Sequence, residues 1–314
     1  MSTIVTLTVN PALDVSTDTD VVIAGEKLRC GPTVLDPGGG GVNVSRVIHR
    51  LGGKTAAVFV AGGLTGDLYT KLLTDEGVPS HRIPIDGETR ESFTVTEETT
   101  GKQFRFVLAG PEITPAVLET VMSTLSNLVG PGDWLVASGS LPPGAPEDFY
   151  GTLAQTFSSR GVNVVVDTAP PWLAPAIAGG VFVVKPSRHE LEQFLGRELP
   201  DLDAQVEGAR QMVADAGVEW VALSLGKDGA VLVSADRAWH AVAAGVNPVS
   251  TVGAGDSFLA GLVHALSSGS EPDHALAYAV SAGSATAMSP ATKLCEAQAV
   301  ERVLGGVVTT TLLP

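Results

Sequence analysis

Three scarcities bound what this chain can be. It has only two cysteines in 314 residues, Cys30 and Cys295, far apart and outside any metal-ligand spacing, so neither a disulfide framework nor a cysteine-bound zinc cluster has support. A reducing, cytoplasmic setting is the simplest expectation. Positive charge is also scarce: 19 Lys plus Arg stand against 34 Asp plus Glu, a formal net charge of −15. Such a surface repels a nucleic-acid backbone and an anionic membrane, so a phosphorylated ligand would need a few cations gathered locally. Long apolar runs are missing too. None approaches the roughly 18 residues of a membrane span, and the opening Met-Ser-Thr-Ile-Val-Thr-Leu-Thr-Val alternates like a strand rather than like a signal peptide.

What is present is enough apolar chain, 44% of residues, to bury a large core. Repeats, low-complexity stretches and linkers are absent, so the expectation is a single domain over residues 1–314. Short apolar runs alternate with helical patterns: Ala56–Ala61 then 66–77, Trp134–Ser138 then 146–160, Val162–Asp167 then a short helix, Val181–Lys185 then 187–195. Valine-rich runs of this kind are expected of strands covered on both faces, which predicts an α/β fold with a mostly parallel sheet. Residues 14–36 and 88–108 depart from the pattern with polar, β-prone stretches, and read as half-exposed strands of a small lid or interface.

Two glycine clusters invite a ligand. Gly38–Gly41 precede a helical pattern beginning at Val42, but two nucleotide templates fail there. The dinucleotide fingerprint needs glycine where Asn43 stands, and a P-loop ending at Gly53-Lys54-Thr55 needs its first glycine at Ile48. A flexible turn is the plainer reading. In the second cluster, Gly253-Ala254-Gly255-Asp256-Ser257 opens a helix whose apolar face carries Phe258, Leu259, Leu262, Val263 and Leu266. Amides at that N-terminus would favour an anion. Asp256 beside them is either a helix starter or a carboxylate placed to take a proton from a hydroxyl during phosphoryl transfer.

Five motifs occur in order along nearly the whole chain: Asn10-Pro11-Ala12-Leu13-Asp14, Pro37 to Val44, Lys185-Pro186-x-x-x-Glu190, Ser224-Leu225-Gly226 and Thr251 to Ser257. Together they resemble the ribokinase-like, or phosphofructokinase B, sugar kinases. Lys27 to Cys30, the four-glycine run Gly38 to Gly41, Arg105 to Val107 and Thr292 to Cys295 look most like the bacterial 6-phosphofructokinases of this type, with the 1-phosphofructokinases and tagatose-6-phosphate kinases as close neighbours.

The resemblance implies a three-layer α/β/α domain with a β lid through which two subunits pair, and ATP and Mg²⁺ as co-reactants. It implies Asp256 as base and Gly253, Ala254 and Gly255 as the anion hole. Asp14, Gly39 and Asn43 would hold sugar hydroxyls, Lys27, Arg90 and Arg105 the substrate phosphate, and Ser138 and Gly139 would line the substrate cleft. Lys185, Ser187, Ser224, Gly226 and Gly229 would contact the nucleotide, with Ala282, Gly283 and Ser284 flanking adenine, and Glu190 would help hold Mg²⁺. Many relatives also bind K⁺, for which Ser250, Val252, Ala287 and Ser289 stand at candidate positions; Ala291 replaces a glycine often seen there. Ser187 stands where the family usually has Asn, and it is also a plausible helix N-cap. That departure keeps a different class of function open, a non-catalytic sensor of a sugar phosphate or nucleotide.

Overall fold

The computed structural model describes residues 2–313. The first apolar run forms strand β1 (Ile4–Thr8), after which the chain leaves the core for β2 (Ala12–Thr19) and β3 (Val34–Gly38). It returns through helix α1 (Gly40–Arg50), β4 (Thr55–Ala61), α2 (Gly63–Asp75) and β5 (Ser80–Pro84). A second excursion makes β6 (Arg90–Glu97) and β7 (Gln103–Val107). There follow α3 (Pro115–Leu128), β8 (Trp134–Ser138), α4 (Phe149–Ser158), β9 (Asn163–Asp167), α5 (Leu173–Ala178), β10 (Val183–Val184), α6 (Arg188–Leu195), α7 (Leu202–Ala216) and β11 (Trp220–Ser224). The last part comprises β12 (Ala230–Val233), β13 (Ala238–Ala243), α8 (Ala254–Ser267), α9 (Pro272–Ala287), α10 (Ala297–Leu304) and β14 (Val307–Leu313).

Ten strands join in the order β14-β13-β12-β11-β10-β9-β8-β1-β4-β5. Neighbours from β5 to β11 are parallel, and β12 to β14 form an antiparallel edge. Successive side chains of the central strands go to opposite faces. On β8, Leu135 and Ala137 join a core with α3, α4 and α7, whereas Trp134 and Val136 join a second core with α1, α8 and α9. Burial on both sides is why these strands read as unbroken apolar runs.

The two polar excursions pair with each other in a separate sheet, order β3-β2-β6-β7. Residues 20–33, within the first expected lid segment, contain no strand. Helix α2 also differs from expectation, starting at Gly63 rather than at residue 66, because the Glu88 carboxylate accepts the amides of Leu64 and Thr65 at 3.3 and 3.0 Å. A cap supplied from that far along the chain leaves no local signature.

Strand order reverses about β1, which lies between β4 and β8. In open α/β sheets a crevice opens at the carboxyl ends of the strands at such a point. Ser138, Asp167, Lys185 and Ser224 end or follow β8, β9, β10 and β11, so they reach that edge from separate strands.

Candidate active site

Helix α8 begins at Ala254 behind Gly253, whose φ of 73° is left-handed and favours glycine. A Cβ at Gly253 would also press on Leu294 Cδ2 at 2.6 Å. The Ala254 amide turns back to the Thr251 carbonyl at 3.3 Å, so of the expected anion hole Gly255 is the more open member. Asp256 sits in the first turn, and its Oδ2 accepts a 2.8 Å hydrogen bond from Asn43 Nδ2 on α1. Burial and the nearby Asp167 push the Asp256 carboxyl up to about 6, against the opposing effects of Asn43, Lys185 and Arg105.

The glycine run before Asn43 serves packing as well as any ligand. A Cβ at Gly40 would overlap Ser138, and one at Gly41 would overlap the Leu7 backbone carbonyl, so α1 can start against β1 and β8 only with glycine there. Gly39 caps α1 with φ 112°. A Cβ at Gly38 would overlap the carboxylate of Asp14, which lies on β2 opposite Asp36. Burial and Asp36 push the Asp14 carboxyl up to about 7, although Arg105 and Arg46 pull it down.

The three expected cations differ. Arg105 on β7 is exposed, and its charge acts on both Asp14 and Asp256. Arg90 is half-buried and spends donors on backbone, bonding Asn10 O at 3.0 Å and Leu108 O at 3.1 Å. Lys27 is exposed in the strand-free stretch between β2 and β3. Within the cleft, Ser138 is buried with its hydroxyl 3.4 Å from Asp167, and the Gly139 carbonyl accepts from Tyr150 and Thr168.

A cavity of about 590 Å³ opens on the other side of Gly255. Ser224, Gly226, Gly229, Gly283 and Ser284 line it, and so do Lys227, Thr251 and Phe258, for which the sequence suggested no nucleotide contact. Ala282 must be corrected: it is 0% exposed and packs in the core against Gly261, because it falls on the inner side of α9. Lys185 does not line the cavity. Its ammonium pairs with Asp167 at 3.0 Å, and a Cβ on Gly255 would lie 3.6 Å from it. Burial would lower the Lys185 pKa, yet Asp167, Glu190 and Asp256 together raise it, so the lysine stays charged. Asp167 carries no motif of its own; ending a buried strand on a charged residue is the only trace it leaves in the sequence.

Ser187 caps α6 in a full capping box: its hydroxyl accepts from the Glu190 amide at 3.3 Å, and Glu190 Oε2 accepts from the Ser187 amide at 2.7 Å. Ser187 also bridges to Ser224 beside the cavity. Three carboxylates, Asp167, Glu190 and Asp256, act on the single Lys185, an excess of negative charge that suits a divalent cation. Among the described residues no group of three His, Cys, Asp or Glu is close enough to hold a metal directly. The donor set therefore fits Mg²⁺ kept in its waters and shared with phosphates. Of the positions expected for K⁺, the Ala287 carbonyl already accepts the Val249 and Ser250 amides at 2.7 and 3.1 Å, and the Ser289 hydroxyl donates to Ala285 O at 3.2 Å.

Residues 8–299 match the pfkB family of carbohydrate kinases. The ATP-dependent 6-phosphofructokinase isozyme 2 of Mycobacterium tuberculosis is 42% identical over 299 residues, covering 95% of this chain and 88% of that protein. The 1-phosphofructokinase of Xanthomonas campestris is 33% identical, over 83% of each chain. A solved structure of phosphofructokinase-2 from Escherichia coli in complex with substrates and products superposes with a TM-score of 0.93 at 34% identity, covering 96% of this chain and 98% of that one. The chain belongs to the pfkB family of carbohydrate kinases, phosphotransferases with an alcohol acceptor and a ribokinase-like fold.

Proposed function

We propose that this protein transfers the γ-phosphoryl group of ATP to a hydroxyl of a sugar phosphate, with fructose 6-phosphate as the acceptor and fructose 1,6-bisphosphate as the product. The observation that carries this reading is the Asp256 carboxylate, held by Asn43 between the cavity beside Gly255 and the Asp14–Arg105 side of the cleft. The acceptor oxygen attacks the γ-phosphorus as its proton passes to Asp256, and the bond to the bridging oxygen breaks to release ADP. Amides at the start of α8 and the charged Lys185 oppose the negative charge on the transferring group. Mg²⁺ arriving with ATP would be held through waters by Glu190 and Asp167, neutralising phosphate charge. Asp14 orients the sugar, and Arg105 supplies positive charge to its phosphate.

Similarity favours fructose 6-phosphate over fructose 1-phosphate or a tagatose phosphate, since identity is greater to the 6-phosphofructokinase relative. For assembly, the lid exposes Val34, Leu35, Phe106, Val107 and Leu108 on and beside its two edge strands, apolar surface that a second copy of the lid would cover in a homodimer. An ADP-release assay over a panel of free and phosphorylated hexoses tests the function. Turnover greatest with fructose 6-phosphate is expected. Turnover greatest with another sugar phosphate would reassign the acceptor, and binding without turnover for every sugar would make the chain a sensor.

A further inference from the structure

Arg46 is the largest fully buried side chain among the described residues, 1% exposed on α1, and the reaction written above gives it no part. A guanidinium has five N–H donors and no acceptor, and every one of these donors is used. Nε bonds Glu76 Oε2 at 2.9 Å, Nη2 serves Asp36 at 3.0 Å and Glu76, and Nη1 serves the Pro37 carbonyl at 3.2 Å and Asn43 Oδ1 at 3.3 Å. Glu76 follows α2 and is itself gripped by Arg50, while Asp36 lies on lid strand β3 and takes a 2.5 Å bond from Thr292.

The bond to Asn43 decides which way its amide points. Because Arg46 can only donate, the atom facing it must be the amide oxygen, and the amide nitrogen is thereby turned to Asp256. Were the amide reversed, its oxygen would face the carboxylate and repel it. With Oδ2 occupied by Asn43, Oδ1 is the oxygen left for an acceptor hydroxyl.

We propose that Arg46 is a positioning residue for the phosphoryl-transfer site: through Asn43 it orients the carboxylate of Asp256, and through Asp36 it ties that orientation to the lid. The proposal rests on the reading of Asp256 as the base. It separates this buried cation from Lys27, Arg90 and Arg105, for Arg46 is 1% exposed and spends its donors within the protein.

The test compares Arg46→Lys, Asn43→Ala and the double variant by steady-state kinetics, with Asp256→Asn alongside. Lysine keeps the charge but cannot span Glu76, Asp36 and Asn43 with one planar fork. Arg46→Lys is expected to lower kcat about tenfold or more while the KM for ATP changes less than about twofold. Its acid limb in the kcat/KM profile should move to higher pH, because the carboxylate, already facing Asp167, Asp14, Lys185 and Arg105, loses a secured donor. In the Asn43→Ala background the same substitution should add less than about a twofold loss, since residues acting through one another are not additive. Multiplying losses, or an Arg46→Lys enzyme with wild-type kcat and pH profile, would overturn the positioning role while leaving the base intact. Normal turnover in Asp256→Asn would instead overturn the base reading and the proposal with it. Should Arg46→Lys fail to fold, Glu76→Gln weakens only the far end of the clamp. It should lower kcat in the same sense, with the loss vanishing in the Asn43→Ala background, and persistence of the loss there counts against the proposal.

Discussion

The two helix N-termini that meet over the site, α1 and α8, are both led by glycine, but for different reasons. At α1 the space a side chain would need is taken: Gly40 lies against Ser138 and Gly41 against the Leu7 carbonyl, so the glycines let a helix start on top of two strands. At α8 the Cβ of a residue at 255 would meet only the Lys185 ammonium, at 3.6 Å, and the surface beyond belongs to the cavity. Gly40 and Gly41 thus serve the packing of the protein on itself, whereas Gly255 leaves room for a ligand. Glycine marks a close approach of backbone without saying to what.

The contrast is broken most directly at the carboxylate α8 carries. Asp256→Asn is expected to lose at least about 10²-fold in kcat with nucleotide binding retained, read by turnover and by nucleotide titration. Next in size is the test of the packing side. Gly41→Ala should destabilise the fold by about 1–3 kcal/mol through overpacking against a backbone atom that cannot move aside, seen as a lowered denaturation midpoint. Gly255→Ala should do the reverse. Its stability is unchanged or raised by up to about 1 kcal/mol, as for alanine replacing glycine within a helix, while turnover falls because the methyl group occupies the approach to the first-turn amides. If Gly255→Ala proved as destabilising as Gly41→Ala, the distinction between the two helix starts would be lost.

Two smaller effects concern pH. Activity should fall on the acid side with an inflection near the value of about 6 to which Asp256 is raised, since the base must be ionised. Stability of the ligand-free protein should run the other way. Asp14 and Asp256 titrate at about 7 and about 6 when folded, so between pH ~4 and ~7 the folded chain binds protons that the unfolded chain, with carboxyls near ~3.9, has released. Stability is therefore expected to decline as pH rises through that window, and Asp14→Asn should flatten the decline in a series of denaturation midpoints.

Much of this could be read along the chain, because the informative features are local. Strand β9 carries Val164, Val165 and Val166 in a row because it is covered on both faces, and Gly253 to Asp256 lie within one helical turn, so pattern and motif coincide. The features that escaped were made by residues far apart. Glu88 caps α2 from beyond β5, Asp167 meets Lys185 across adjacent strands, and Arg46 joins residues from β3, α1 and the end of α2. Ala282 was misplaced because a motif names neighbours in sequence, whereas a helix sends consecutive residues to different faces, here Gly283 and Ser284 to the cavity and Ala282 to the core.

By itself the amino-acid order determined the layered fold and the helix start that bears Asp256, since both follow from periodicity and from conformational preferences acting over a few residues. Only the tertiary structure decided which glycines yield space to strands and which to a ligand, which cations face the cleft, and which carboxylates are held away from their ordinary pKa. Those outcomes depend on burial and on charges brought together through space, and neither is a property of any short stretch of chain.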